Sequence, residues 1–155
     1  MQKIEHIIEI TASPDAVWEI LTDSSYLPKL YPDALSTQID PPGRSHVGQK
    51  YTTLSRVGRR KVKVLSELTQ LEPRSKLVTR SRQGGIFKSF EQSVTMQPSG
   101  TGTRVKMTFE YEYAMGLVGK VLNAVLIERL LRDNLNAYAA NLKEICELLP
   151  MPDPT

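Results

Sequence analysis

Two histidines, one cysteine and six tyrosines carry most of the chemistry open to this chain beyond its carboxylates and amines. His6 lies in an alternating stretch, with Ile4, His6, Ile8 and Ile10 on one parity and Glu5, Glu9 and Thr11 on the other. Period two with β-branched residues predicts a strand with one buried face. That aims His6 inward and makes it the first candidate for a general acid or base. A strand-end histidine, or a core histidine with its hydrogen bonds satisfied, leaves the same trace. His46, between Gly43 and Gly48, reads as a loop residue facing solvent. Two histidines so far apart, with one cysteine, do not make a metal centre. Cys146 falls in a helical stripe and reads as a small packing residue rather than a nucleophile. No glycine-rich stretch has the pattern of a phosphate cradle, so no cofactor is expected.

The clearest strand carries the second candidate. Val105, Met107, Phe109, Tyr111 and Tyr113 alternate with Lys106, Thr108, Glu110 and Glu112. One side must face water and the other a core or cavity, which makes Tyr111 a phenolic candidate beside His6. By the same parity, Val62, Val64, Ser66 and Leu68 point inward, as do Phe90, Gln92, Val94 and Met96. With Tyr51 they form an apolar wall with a few phenol and amide handles, the lining expected of a small-molecule pocket. A filled core would use the same residues. Tyr26, Leu30 and Tyr31, near Pro28 and Pro32, suit either a gate over such a pocket or plain docking of a short helix.

Strands are predicted at about 35–40, 47–57, 60–71, 76–83, 86–97 and 103–114, after the first one. Each is bounded by Gly or Pro where a hairpin must turn, as at Pro41-Pro42-Gly43, Gly84-Gly85 and Gly100-Thr101-Gly102. Ser13-Pro14-Asp15 opens a helix after the first strand, with Ser13 as cap and Pro14 in the first turn. A short second helix is expected over Tyr26 to Tyr31. A long helix follows at about 117–149. Its second half has a clean apolar stripe, Leu131, Leu135, Tyr138, Leu142, Ile145 and Leu149. Its first half, including Val118, Leu122 and Val125, is apolar around much of its circumference. Such a segment must be covered on several sides or border something greasy.

Composition sets the bounds on these readings. The 155 residues, 40% hydrophobic, suit one globular domain over 1–149 with a Pro-rich tail at 150–155. Mean hydropathy is −0.29 and no apolar run reaches the length of a membrane span. The first six residues have charges where a signal peptide needs an apolar core, so a soluble, cytoplasmic protein is expected. The net charge of +3 is mild. It has an address, however, in Arg56, Arg59, Arg60, Lys61 and Lys63 at one hairpin. Such a run is usually a solvated turn, and it could also touch an anionic membrane surface. It lacks interleaved aromatics, so no nucleic-acid partner is expected.

The order is strand, two short helices, six strands and a long helix. With Ala12-Ser13-Pro14-Asp15-Ala16-Val17-Trp18 after the first strand, it resembles the START-like (Bet v 1-like) superfamily. Val47-Gly48 before a strand, Glu72-Pro73 before Lys76-Leu77-Val78, Gly102-Thr103-Arg104-Val105 and Asn141-Leu142-Lys143 look like its polyketide cyclase/dehydrase and lipid transport branch. The resemblance spans nearly the whole chain and implies an α+β helix-grip fold. In that fold a curved seven-stranded antiparallel sheet wraps a long C-terminal helix, with two short helices after the first strand. It also implies an internal cavity for a hydrophobic small molecule such as a lipid, quinone or polyketide. The expected ligand contacts are Tyr26, Leu30, Tyr51, Val64, Phe90, Gln92, Val94, Met107, Phe109, Tyr111, Tyr113, Val118, Leu122 and Val125. Non-catalytic binding is the first reading. A cyclase-type enzyme using His6 or a cavity tyrosine is the second, and a protein-partner role for the outer sheet face is the third.

Overall fold

A computed structural model describes residues 2–31, 34–57, 60–83, 87–114 and 124–148. The chain runs β1 (Gln2–Ile10), α1 (Pro14–Thr22), a 3-10 turn (Ser24–Tyr26), α2 (Leu27–Leu30), β2 (Ala34–Asp40) and β3 (Lys50–Val57). It continues through β4 (Arg60–Glu72), β5 (Lys76–Gln83), β6 (Phe87–Ser99), β7 (Gly102–Tyr113) and α3 (Ala124–Leu148). The strands make one antiparallel sheet in the order β1-β7-β6-β5-β4-β3-β2. Only the β1–β7 pairing joins strands distant in sequence, so every other neighbour follows from a hairpin.

Alternation decides which face is which. Ile4 pairs with Phe109, His6 with Met107 and Ile8 with Val105, so these residues share the inner face. The same row passes to Phe90, Gln92, Val94 and Met96 on β6. The outer face carries charge. Glu5 meets Lys3 at 3.0 Å and Lys106 at 3.4 Å, and Glu9 meets Arg104 at 2.6 Å. Lys3 holds the Glu5 carboxyl below its ordinary value, and Arg104 does so for Glu9. Ile7, an apolar residue on the otherwise polar parity of β1, faces outward and is 56% exposed.

The helices close one end of the inner face. Ser13 Oγ accepts from the Ala16 N–H at 3.2 Å, the expected cap. Asp23 ends α1 and caps the next turn, accepting from the Ser25 N–H at 3.0 Å. α3 is pinned at its C-terminal end, where Glu147 accepts from the Thr11 N–H at 2.8 Å and Lys143 donates to the Glu9 carbonyl at 2.5 Å. Its buried stripe is Leu135, Tyr138, Ala139, Leu142 and Cys146, which leaves Cys146 a packing residue. Residues 117–123 and 149 of the expected long helix lie outside the described residues.

The strand expected from 47 begins at Lys50, because the chain first has to turn. Gly48 has φ +93°, a conformation that favours glycine. Its N–H donates to the Leu68 carbonyl at 2.8 Å, and Leu68 returns a bond to the Gln49 carbonyl at 2.9 Å. Gly102 is required for a different reason. A Cβ there would sit 2.3 Å from the Ile10 carbonyl oxygen, inside backbone that cannot give way. Gly102→Ala should therefore destabilise the protein by about 2 kcal/mol or more. Denaturant unfolding checks this, and a change below about 0.5 kcal/mol would show that the β1–β7 contact is looser than described.

Candidate functional site

The buried core is lopsided. Ile4, Ile10, Val17, Ile20, Leu30, Val94, Val105, Met107, Leu135 and Leu142 form one cluster between β1, β7, β6 and the helices. Strands β2 to β5 send none of their described residues into it. Apart from Leu68, which is 1% exposed, their described inner-face residues are only half-buried. Register places Leu77, Thr79 and Ser81 beside Val94, Gln92 and Phe90. Ser66 follows beside Ser81, then Tyr51 beside Ser66 and Thr53 beside Val64. All of these except buried Val94 are half-buried. The inner face thus changes from Ile, Met and Phe on β1 and β7 to a mixture of Thr, Ser, Leu, Val and Tyr on β5 to β3.

An aromatic cluster stands at the boundary. Phe87, Phe90, Phe109, Tyr111 and Tyr113 contact one another, with Phe90 5.0 Å from Phe109 and Tyr111 5.4 Å from Phe87 between ring centres. Such tilted and edge-on pairs add to the stabilisation from burial itself. Tyr111 is 2% exposed, and burial pushes its phenol up to about 12.

Next to this cluster is a polar group of three side chains. Gln92 donates Nε2–H to the Tyr31 hydroxyl at 3.0 Å. The Tyr31 and Tyr138 rings lie 4.7 Å apart, joining α2 to α3 over the sheet. Burial lifts Tyr31 to about 12 despite the Gln92 bond, and lifts Tyr138 well above 10. Asn141 donates to the Leu30 carbonyl at 3.3 Å and fixes the same junction. A second polar knot holds the loop before β3. Gln49, 1% exposed, donates to the carbonyls of Pro41 at 2.9 Å and Gly43 at 3.2 Å, and accepts from the Tyr51 hydroxyl at 2.5 Å. Among the described residues, no buried side-chain polar atom lacks a partner.

The expected site residues fall into distinct places. Leu30, Val94, Met107, Phe109 and Tyr111 are packed in or beside the solid core. Tyr51, Val64, Phe90, Gln92 and Tyr113 are half-buried on the inner face. His6 is half-buried on that face too, opposite fully buried Met107. Tyr26 faces a separate surface groove of about 420 Å³, lined by Tyr26, Lys29, Asn141, Glu144, Ile145 and Leu148. Val125 is 75% exposed at the first described turn of α3. Val118 and Leu122 lie outside the described residues, as does Arg59. Lys61 and Lys63 are exposed, while Arg56 and Arg60 occupy the same hairpin by register. Among the described residues no group of acidic, His and Cys side chains could hold a metal ion, and no helix is long and apolar enough to cross a membrane.

The Gln92–Tyr31–Tyr138 junction was not legible as a unit. Tyr138 lies on the apolar stripe of α3 and Tyr31 beside Pro32, so each looks like packing when read alone. Tyr31 and Tyr138 there, and Tyr111 in the aromatic cluster, titrate late because burial disfavours the phenolate. For Tyr31 and Tyr111, raised from the ordinary 10.0 to about 12, the contribution to stability is full below about pH 10 and is lost as pH rises toward 12; Tyr138 is raised in the same direction. A spectrophotometric tyrosinate titration should find Tyr31, Tyr111 and Tyr138 silent until the protein unfolds. Ordinary titration of all tyrosines in folded protein would contradict their burial.

The sequence model of the polyketide cyclase / dehydrase and lipid transport family matches residues 1–147. No curated protein matches. Among solved structures, TTHA0849 from Thermus thermophilus superposes with a TM-score of 0.77 at 22% identity, covering 94% of this chain and 97% of that one. The Zhui aromatase/cyclase from Streptomyces gives 0.79 at 18% identity, covering 94% and 93%. Norcoclaurine synthase from Thalictrum flavum, in complex with dopamine and hydroxybenzaldehyde, gives 0.74 at 20% identity, covering 97% and 89%. At these identities the likeness shows the shared helix-grip fold.

Proposed function

Starting from a chain that belongs to the polyketide cyclase / dehydrase and lipid transport family, we propose that it binds an amphipathic, largely apolar small molecule between α3 and the inner face of β3 to β6. The observation that carries this reading is the lopsided core. Burying apolar surface is worth about 25 cal/mol per Å², yet among the described residues the inner faces of β3 to β5, Leu68 excepted, are left half-buried and unused by the core cluster. A ligand there would recover that burial. Phe90, Leu77, Val64 and Tyr51 offer the apolar contacts. Ser66, Ser81, Thr79 and Thr53 offer hydroxyls spaced along the wall, and Gln92 an amide at its edge. The ligand therefore combines a flat or flexible apolar body with several hydrogen-bonding oxygens.

The buried phenols are poor bases. At neutral pH a phenol held near 12 keeps its proton, so Tyr31 and Tyr111 serve as donors and packing surfaces rather than bases. Cyclase-type catalysis in the same space is the second reading. The family description favours it, and His6 is the inner-face imidazole that would serve as acid or base. It predicts that His6→Ala abolishes turnover of a polyketide substrate while leaving its binding intact. Equal turnover by His6→Ala and Tyr111→Phe would remove both residues from that role.

Native mass spectrometry of protein purified from its own host should show bound apolar molecules. The fluorescent apolar probe anilinonaphthalene sulfonate should bind the folded protein and raise its Tm. Val64→Trp, which fills the proposed space from β4, should weaken probe binding at least about tenfold, because one large ring displaces much of the apolar contact, with the unliganded fold intact by circular dichroism. Unchanged probe affinity in Val64→Trp, or no bound ligand and no Tm shift, would contradict the reading.

A further inference from the structure

The solvent side of α3 changes character along its length. At about 100° per residue, Val125 lies on the flank of α3, and Leu126 and Leu130 lie on the side opposite fully buried Leu135 and Leu142. They are 75%, 49% and 49% exposed. Further along, the same side carries exposed Ala140, Glu144 and Glu147, as water requires. The first turns of α3 thus present large aliphatic side chains outward while the later ones do not. Arg129 and Arg132 stand among them, both exposed. Arg132 is paired with Glu128 at 2.7 Å, and Asp133 is the other acidic group on these turns.

Topology puts the basic hairpin at the same end. The C-terminal end of α3 is bonded to Glu9 and Thr11, at the end of the sheet where Ile10 pairs with Thr103. Its beginning therefore lies toward the other end, where β7 finishes at Tyr113 opposite Phe87. Following the antiparallel ladder, that end also holds Gln83 opposite Leu65 and the β3–β4 turn, with Arg56 opposite Lys61 and Val57 opposite Arg60. Lys61 and Lys63 are exposed. Among the described residues, none of Lys61, Lys63 and Arg129 has an ion-pair partner.

We propose that this end of the molecule, the first turns of α3 and the β3–β4 hairpin, docks on an anionic lipid bilayer. Aliphatic side chains flanked by cations are the composition of a helix lying in the lipid interface. Nearby lysines and arginines add attraction to a negatively charged leaflet. A nucleic acid would match the charge but leaves Leu126 and Leu130 without a stacking role, since the patch has no aromatic. A second copy of the chain would cover the leucines while crowding like charges. Docking here would bring the open half of the inner face close to the lipid, so the biological use of the contact rests on the binding reading above, although the contact itself does not.

The test is sedimentation of the full chain with phosphatidylcholine vesicles, with and without phosphatidylserine. The wild type should sediment with the anionic vesicles and be released by salt. Leu126→Glu with Leu130→Glu, and separately Lys61→Glu with Lys63→Glu, should each reduce binding at least about tenfold. Both pairs should keep the wild-type circular dichroism and the Tm shift with anilinonaphthalene sulfonate. No sedimentation at low salt, or sedimentation unaffected by either pair, overturns the proposal. So does self-association or RNA binding that depends on these residues in place of vesicle binding. Vesicle binding without any probe-induced Tm shift supports docking and removes the ligand reading, so the two can fail separately.

Discussion

One helix is too narrow to cover a seven-stranded sheet, and the rest of the structure depends on how that mismatch is resolved. Six inter-strand spacings of about 4.8 Å make an inner face roughly 29 Å across before curvature, for the seven strands β1 to β2. A helix with its side chains is about 10–12 Å wide. α3 is drawn to one side, where Leu135, Tyr138, Ala139 and Leu142 join α1, α2, β1, β7 and β6 in a close-packed cluster. The bonds from Glu147 and Lys143 to the end of β1 fix it there. Among the described residues, the remaining inner surface has mostly half-buried side chains and no element packed on it.

Chemistry follows the same division. Where α2 and α3 meet the sheet, the polar groups are few, at least half-buried and bonded to one another, as in Gln92–Tyr31. Partnered buried groups of this kind make a site rigid more than reactive. On β3 to β5 the polar groups are hydroxyls at intervals along a partly open wall, which suits orientation of a guest. The family's description spans cyclases, dehydrases and lipid transport, as expected where one fold carries different chemistries.

The sequence made the frame legible because its signals are local. Alternation in Val105–Tyr113, the cap at Ser13, and the turn glycines each act within a few residues, and the strands, helices and inner parity followed from them. Gly102 shows how such a signal gains its reason only in three dimensions, since the close approach of the Ile10 carbonyl is made by pairing β1 with β7. The site was less legible. Whether Val64 or Met107 meets solid core or open space depends on where α3 comes to rest, and both are simply inward-facing apolar residues in the chain. Parity also could not link Tyr31 to Gln92, 61 positions away. The apolar first half of the last helix did signal something unusual. The exposure of Val125, Leu126 and Leu130 gives that excess a location.

The central claim is that the uncovered half of the inner face, and not the close-packed half, receives the ligand. Its most direct test is methyl and aromatic NMR of labelled protein titrated with anilinonaphthalene sulfonate. The account predicts shifts and intermolecular contacts at Val64, Leu77, Tyr51 and Phe90, with Ile10, Val17 and Val105 unmoved. Perturbation confined to the core residues, or to the surface groove at Tyr26 and Ile145, would contradict it.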